Sequence, residues 1–345
     1  MSKINARAIS YTRATILAGS MSPYTSKRAC TFILTYPRII HAEAKTHRQL
    51  MEGFSDFAID VSIMDTPNHT KNSGSSRAIP ALKMISDIET YPFYPKAWAK
   101  AHKGMQGYEF FDETETDELD RLHEEQMRRT LDFAKEMTEK GVSKQIINRY
   151  IENYSYVSVL LTGTEWENFF ELRCPKYRTE DGQVYDTMYE LHQEHGDCAS
   201  YTNVSTAEIH IQDIAEKMKT QFLTYNKWKM LSIGEWHLPF ETDSKEAICK
   251  IKRNVSIAAR GSYGNFKEKT EADDISMHDG LLTERHMSPF GHVLTIPKKR
   301  EECARKFMGY DLNNEAKYED YWCNEYHGFA SYRYLIEKNM VRSYL

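Results

Sequence analysis

Residues 72–80, NSGSSRAIP, place three serines and a glycine directly before an arginine. Backbone N–H groups around Gly74, the serine hydroxyls and the guanidinium of Arg77 are donors of the kind that hold phosphate groups in proteins. The same composition is also typical of a polar loop that leads into the next element. The segment alone therefore leaves two interpretations open: an anion-binding cradle built from Ser75, Ser76 and Arg77, or a connecting loop.

Four further segments carry side chains that are common in binding and catalytic sites. They are KTHRQL with His47 and Arg48, EWENFFELRC with Asn168, Arg173 and Cys174, AARGSYGN with Ser262, and HMSPFGH with His286, Ser288 and His292. The two histidines of HMSPFGH are spaced for neither one helix face nor a usual zinc site, so we predict no metal there. AARGSYGN lacks the G-x-G-x-x-G pattern of a dinucleotide-binding loop.

Cys174 follows Arg173 directly in the sequence. A cationic neighbour lowers the pKa of a thiol and favours the nucleophilic thiolate. No adjacent segment supplies a recognisable base, and the chain contains no P-loop, G-x-S-x-G or protein-kinase motif. Cys174 is therefore open to two interpretations, a structural thiol or a nucleophile, and nothing in the sequence favours the second.

The elements that would position these segments show both strand and helix patterns. ACTFILTYPRIIHAEA, residues 29–44, is rich in β-branched and aromatic residues and predicts a strand that turns into a helix near Pro37. YSYVSVLLTGTEWENFFELR, residues 154–173, predicts a second strand that runs into a helix with its aromatic residues turned inward. The organisation of the chain is therefore mixed.

Residues 114–141 contain the clearest helix pattern. Apolar residues recur there at helical spacing, at Leu119, Leu122, Leu131, Ala134 and Met137. Acidic residues fill the first turns, and Gly141 marks the end. Ser143 then predicts the N-cap of another helix, with Val142 packed on Ile147. Two polar stretches, about 51–69 and about 175–205, look like inserted segments.

Length and composition set the class of protein. The 345 residues are 41% hydrophobic and 28% charged, which is ordinary for a globular chain that buries a core. The net charge of -5 argues against non-specific nucleic-acid binding. The six scattered cysteines include no C-x-x-C pair and indicate reduced thiols. Because the sequence shows neither a signal-peptide pattern nor a membrane-length apolar run, we expect a soluble intracellular protein.

Taken in chain order, THR, SSRAIP, TEWENFFELR, AARGSY and HMSPF resemble the motif blocks of the flavin-dependent thymidylate synthases, most closely those of phage-encoded members. Similar blocks occupy residues 31–50, 70–106, 145–173, 207–218 and 250–297. The family signature RHRxxSxxxxSxR is split here: His47 and Arg48 match HR, and Thr70, Ser75 and Arg77 follow the first inserted segment. AARGSY and HMSPF come late in this chain, which implies a permuted order relative to typical bacterial members.

The resemblance implies an α+β fold, a twisted mixed sheet with packed helices, in a single catalytic domain over residues 1–345 that includes both inserted segments. It assigns substrate binding to Glu43, Ser75, Ser76, Arg77, Arg149 and Arg173. Of these, it places Ser75, Arg77 and Arg173 at the reaction itself. It assigns flavin binding to His47, Arg48, Asn168, Ser262, His286 and Ser288. It also implies a homotetramer whose active sites are shared between subunits.

The implied activity is an FAD-dependent transfer of a one-carbon unit from 5,10-methylenetetrahydrofolate to C5 of a pyrimidine deoxynucleotide monophosphate, with dUMP converted to dTMP as the leading interpretation. NADPH is the implied source of the hydride. Because cofactors carry the difficult steps, such a methyltransferase needs positioning and electrostatics more than a protein nucleophile. The expected partners are small nucleotides and folates, with no membrane and no polymeric nucleic acid. The expected location is the cytoplasm, that of the host for a phage protein.

Three departures from the family pattern keep alternatives open. Thr46 stands at the first arginine of the signature, Gly291 at a usual glutamate, and Glu43 at a usual glutamine. Glu43 either pairs with a local cation or faces the base, where a carboxylate would accept from the amino group of cytosine. The open alternatives are hydroxymethylation of dUMP, methylation or hydroxymethylation of dCMP, and a non-catalytic flavin- or nucleotide-binding paralogue.

Overall fold

The computed structural model describes residues 11–25, 27–46, 69–73, 79–101, 109–261, 269–298, 322–323 and 326–345. The strands are β1 Arg13–Met21, β2 Arg28–Pro37, β3 His69–Ser73, β4 Tyr156–Gly163, β5 Tyr177–Thr179, β6 Val184–Tyr185, β7 Tyr201–Asn203, β8 Lys229–Met230, β9 Trp236–His237, β10 Leu294–Thr295, β11 Trp322–Cys323, β12 Tyr326–His327 and β13 Ala330–Ser331. The helices are α1 His41–Thr46, α2 Ala81–Thr90, α3 Glu113–Glu139, α4 Lys144–Ile151, α5 Glu167–Arg173, α6 Met188–His195, α7 Ile209–Thr224, α8 Ala247–Gly261, α9 Glu271–Thr283 and α10 Tyr332–Glu337.

A five-stranded sheet with the order β3-β4-β2-β1-β8 forms the centre of the structure. Its strand pairs are antiparallel except for β1 and β8, which run parallel. Helices pack on this mixed sheet, so the predicted α+β class is confirmed. The predicted strand-to-helix turn near Pro37 is also confirmed, because β2 ends there and a 3₁₀ turn leads into α1.

Alternation along β2 and β4 gives the sheet two chemically different faces. Cys30, Phe32, Leu34 and Tyr36 point into a buried hydrophobic cluster, and we call this side the apolar face. Thr31 and Thr35 point the other way, to what we call the polar face. There the Thr31 hydroxyl lies 2.8 Å from that of Thr162, and the Thr35 hydroxyl lies 3.1 Å from that of Ser158. Each pair is directly opposite in the antiparallel register.

Three helices cover the apolar face. Trp166, Phe169 and Phe170 at the start of α5 and the buried side of α7 fill the hydrophobic cluster, and Ala44 of α1 packs at its margin. The Trp166 ring meets the Phe32 ring edge-on, with centroids 5.1 Å apart. The prediction that the aromatic residues of this helix turn inward is therefore confirmed.

Helices α2, α3 and α4 form a separate cluster. Asp112 caps α3 in a capping box with Glu115, and Gly141 follows the helix with a positive φ of 77°. The predicted cap of α4 is confirmed, since the Ser143 hydroxyl accepts from the N–H of Gln145. The helix predicted over residues 114–141 is confirmed by α3. Of its recurring apolar residues, Leu122 is 47% exposed, because the packed side of the helix passes through Met127, Leu131 and Ala134.

A third layer lies over one end of the polar face. The small sheet β13-β10-β9 and a 3₁₀ turn at Ser288–His292 form this layer, with α8, α9 and α10 packed around them. The 3₁₀ turn contacts β3, β4 and α8, and α8 also contacts β3. The segments AARG and HMSPFGH therefore lie beside the β3–β4 edge of the central sheet.

The second of the stretches interpreted as inserted, about 175–205, forms its own small sheet with the order β6-β5-β7, accompanied by α6. Ion pairs tie it to α7, because Lys219 of that helix lies 2.9 Å from Asp186 and 3.1 Å from Glu190. The first stretch, about 51–69, lies outside the described residues except for His69, which begins β3. Among the described helices, none combines the length and apolar character needed to cross a membrane.

The ring of Phe32 is fully buried between the sheet and α5, whereas Phe133 on α3 is 41% exposed. Phe32→Ala should lower the free energy of unfolding by about 3–5 kcal/mol, because it removes a buried ring and leaves a cavity. Phe133→Ala should cost less than about 1 kcal/mol, as expected for a surface position. Urea denaturation of both variants checks this, and equal costs would contradict the proposed packing.

Candidate functional site

Two of the predicted substrate-binding residues meet on the apolar side of the sheet. Arg173 ends α5, Glu43 lies on α1, and Arg173 Nη1 is 3.9 Å from Glu43 Oε1. Both side chains are only partly exposed, at 20% and 27%. Within the described part of the chain, Arg173 Nε is buried and has no hydrogen-bond partner. The guanidinium therefore keeps donor capacity for a planar polar ligand.

The carboxyl group of Glu43 has an unusual environment. Burial raises its pKa, the charge of Arg173 opposes that effect, and the charge of Glu208 adds to it. Glu208 in turn caps α7 by accepting from the N–H groups of His210 and Ile211. The described cation nearest to the Glu43 carboxylate is Arg173, which agrees with one of the two interpretations, a pairing of Glu43 with a local cation.

Asn168 occupies the first turn of α5, between aromatic residues that enter the core. Its Nδ2 atom is buried and makes no hydrogen bond within the residues that the structure describes. A buried amide donor without an acceptor costs free energy, and a bound carbonyl or ring nitrogen would remove that cost. Asn168 therefore has a buried donor available to a ligand, and its assignment to flavin stays a prediction.

The HMSPFGH segment separates its two histidines. His286 is exposed, with Nε2 3.2 Å from Glu284, and Ser288 is exposed at the start of the 3₁₀ turn. His292 is fully buried and its Nδ1 lies 2.8 Å from the hydroxyl of Thr162. The two rings thus have different surroundings, and within the described ranges no three His, Cys, Asp or Glu side chains are grouped to hold a metal.

A buried polar chain joins the third layer to the central sheet. His237 lies between Ser20 and Thr31, with Nδ1 and Nε2 each 2.8 Å from a hydroxyl oxygen. Thr31 continues to Thr162 and Thr162 to His292, again at 2.8 Å. If each hydroxyl donates within this chain of hydrogen bonds, the bonds all run in the same direction along it. That direction decides whether Nε2 of His292 is protonated, and this atom is buried without a partner among the described residues.

His237 and His292, the two histidines of the buried polar chain, are neutral in the folded protein. Burial lowers the pKa of His237 to about 3. Burial, with a smaller effect from His237, likewise lowers the pKa of His292 to about 3. Sequence reasoning missed Ser20, Thr31 and His237, since isolated polar residues in apolar strands carry no motif.

A second polar cluster lies where β4 leads into α5. Lys27 Nζ is 2.6 Å from Glu165 Oε2, and His327 Nδ1 is 3.0 Å from Glu165 Oε1. The neighbouring Tyr326 hydroxyl donates to the carbonyl oxygen of Gly291 at 2.7 Å. The C-terminal strand β12 therefore links α5 to the HMSPFGH segment. Sequence reasoning did not identify these residues.

Among the described residues, Arg149 is predicted to bind substrate but lies away from the Arg173–Glu43 pair. Arg149 is exposed on α4, whose buried side packs on α2 and α3. Six predicted residues lie outside the described residues: His47, Arg48, Ser75, Ser76, Arg77 and Ser262. The ends of the NSGSSRAIP segment are nevertheless defined, because its first two residues, Asn72 and Ser73, end β3 on the sheet edge and α2 begins directly after Pro80.

The nucleophile interpretation of Cys174 is disfavoured. The thiol is fully buried, and burial raises its pKa well above the usual range. An activated cysteine shows the opposite shift. Cys174 therefore acts as a core residue, and its partners in the hydrophobic cluster include Phe170 and Ile211.

Comparison with models of known families, with curated proteins and with solved structures finds no match to this chain. The family resemblance therefore depends on the motif residues and on where the fold places them.

The two buried histidines predict a pH dependence of stability. Their pKa values of about 3 lie below the ordinary 6.5, so the unfolded chain binds more protons between these values. The stabilisation they confer is complete above about pH 6.5 and is lost as pH falls toward 3, by up to ~1.4 kcal/mol per pH unit for each histidine. His292→Gln should reduce this slope, as measured by urea denaturation across that window.

His286→Gln is the control for this experiment, because it removes an exposed imidazole from the same segment. Its slope should follow that of the wild type. A His292→Gln variant with the wild-type slope would show that His292 is not held neutral by burial.

Proposed function

We propose that the protein is a flavin-dependent enzyme that transfers a one-carbon unit from 5,10-methylenetetrahydrofolate to C5 of a pyrimidine deoxynucleotide monophosphate, converting dUMP to dTMP. One observation carries the proposal. Segments far apart in the sequence that resemble the family motifs pack together around the β3–β4 edge. They are β3, β4, α8 and the 3₁₀ turn at Ser288–His292. The His292–Thr162 hydrogen bond joins two of these motif segments directly.

The described residues fit a flavin in the chemistry of their donors. Asn168 offers a buried amide donor that has no acceptor within the described ranges, and His286 and Ser288 offer exposed polar groups. His47, Arg48 and Ser262 would complete the set and lie outside those ranges. When bound, FAD would supply the hydride, which NADPH ultimately provides.

The protein's own contribution would be to bind and orient the nucleotide. Arg173 is partly buried, retains unused donor capacity and has a planar guanidinium, which suits it to a pyrimidine edge and to negative charge that develops on the ring. Ser75, Ser76 and Arg77 would hold the phosphate and sugar, and Ser75 and Arg77 would act with Arg173 at the reaction. No protein nucleophile is required, in agreement with the buried Cys174 thiol.

The resemblance assigns Arg149 to the nucleotide and also implies a homotetramer with shared active sites. Its side chain is exposed on α4 and is not part of the Arg173–Glu43 pair. An exposed arginine on a helix can reach a phosphate held by another copy of the chain. We infer that Arg149 acts in this way, and that the protein works on small nucleotides in the cytoplasm.

The carboxylate of Glu43 is the observation behind a second candidate function, a related modification of dCMP such as methylation or hydroxymethylation. A carboxylate beside Arg173 would accept a hydrogen bond from the amino group of cytosine but would face the O4 acceptor of uracil unfavourably. The pairing of Glu43 with Arg173 favours dUMP, because the carboxylate is already engaged by a cation.

The choice of base can be tested by mass spectrometry of dUMP and dCMP after incubation with protein, FAD, NADPH and methylenetetrahydrofolate. We expect dUMP to gain a methyl group. Glu43→Gln should leave the ratio of dCMP to dUMP turnover unchanged, since Glu43 only shapes the site. A shift of about tenfold or more toward dUMP in this variant would show that Glu43 contacts the base. Product from neither nucleotide would refute the proposed activity.

Arg173→Lys tests the substrate role of the guanidinium. An ammonium group cannot reproduce its planar donors, so kcat/KM for dUMP should fall roughly 10- to 100-fold while bound flavin is retained. Arg178→Lys is a matched control at an exposed position on β5 and should leave kcat/KM unchanged. Equal kinetics for the two variants would remove Arg173 from the site.

A further inference from the structure

A cleft of about 400 Å³ opens at the other end of the polar face, away from the buried polar chain. Thr35 of β2 and Ser155 lie on the sheet side, and Met84 and Ile88 of α2 lie on the helix side. Ile79, at the exit of the NSGSSRAIP segment, also lines it. Its volume is at the lower end of the range for small-molecule sites, which is enough for one ring system and its substituent.

Three tyrosines form an aromatic wall in this cleft. The Tyr11 ring meets Tyr91 at 4.8 Å and Tyr156 at 5.5 Å, both edge-on. Tyr91 is 51% exposed, although it is a large aromatic residue that follows α2 directly. An aromatic surface beside the aliphatic side chains of Met84 and Ile88 is suited to a flat apolar ring.

Among the described residues, the margin of the cleft carries one charged group of each sign. Arg13 lies on β1 opposite Thr35 and is exposed, so its guanidinium is available to an anion. Asp87 is held by Lys83 on the same helix, with the Nζ of Lys83 3.0 Å from Oδ2. A ligand with a flat ring against the tyrosines and an anionic group at Arg13 would match both the shape and the charge.

We infer that this cleft binds a planar heteroaromatic ring that carries a phosphate or carboxylate group. The site is separate from the Arg173–Glu43 pair, which lies on the opposite, apolar face. The inference goes beyond the proposed function, since it assigns a ligand class to residues that, apart from Ile79, lie outside the quoted motif segments. Nucleotides, folates and nicotinamide dinucleotides share this chemistry, and the experiment distinguishes between them.

Binding is measured by calorimetry with dUMP, 5-formyltetrahydrofolate and NADPH as separate probes, in the absence of FAD and turnover. The variants Tyr91→Ala and Arg13→Gln are compared with Tyr150→Ala and Arg178→Gln, which change an exposed tyrosine on α4 and an exposed arginine on β5. We expect the Kd for one probe to rise about tenfold in each cleft variant and to stay unchanged in the controls, because a stacking contact or a charge-assisted hydrogen bond is lost. The probe affected identifies the ligand.

Two results would overturn the inference. One is a wild-type protein that binds none of the three probes. The other is a probe whose affinity is unchanged in both cleft variants, with their fold verified by circular dichroism, but reduced by Arg173→Lys. Because the experiment measures binding and no step of catalysis, its result can be interpreted even if the proposed methyl transfer fails.

Discussion

The antiparallel pairing of β2 with β4 is the constraint on which the rest of the structure depends. Its register places Thr31 against Thr162 and Thr35 against Ser158 on one face, and leaves Phe32, Leu34 and Val159 for the other. A shift by one residue would exchange the two faces and expose the hydrophobic cluster. The burial of that cluster under α5 and α7 therefore fixes the register.

The same register creates a problem at Thr31 and Thr162, since the third layer buries these hydroxyls completely. A buried hydroxyl without a partner costs about 1–3 kcal/mol. His237 and His292 solve this by accepting or donating at each end, which ties β9 and the 3₁₀ turn to the sheet. The directional hydrogen bonds of the polar chain therefore fix the position of the third layer on the central sheet. Apolar packing alone would not define that position as specifically.

Much of the fold could be predicted from local signals. The break at Pro37 and the cap at Ser143 depend on residues next to each other in sequence, so the pattern was sufficient. The exposure of Leu122 could not be predicted, because the packed side of a long helix depends on which partners reach it. The strands β5, β6 and β7 are two or three residues long, too short for an alternating pattern to show.

The candidate site likewise contains residues that the sequence could predict and residues that it could not. Asn168 and Arg173 were predicted because they belong to a recognisable segment, and the structure gives both of them unused donor atoms within the described residues. His237 and Glu165 were missed because their partners lie far away in sequence: Thr31 pairs with His237, and Lys27 and His327 pair with Glu165. Such residues can be recognised as partners only when the pairing of the strands that hold them is known.

Glu43 and Arg173 show how the central pair of strands also builds the site. α1 continues from the end of β2 and α5 from the end of β4, so the two helices leave the paired strands at opposite ends and meet over the apolar face. The distance of 3.9 Å between Arg173 Nη1 and Glu43 Oε1 is long for a hydrogen-bonded ion pair, and both side chains keep contact with solvent. Such a pair has a modest free energy and can be rearranged by a ligand at small cost. The paired strands therefore fix the positions of α1 and α5, while the side chains of Glu43 and Arg173 stay available for binding.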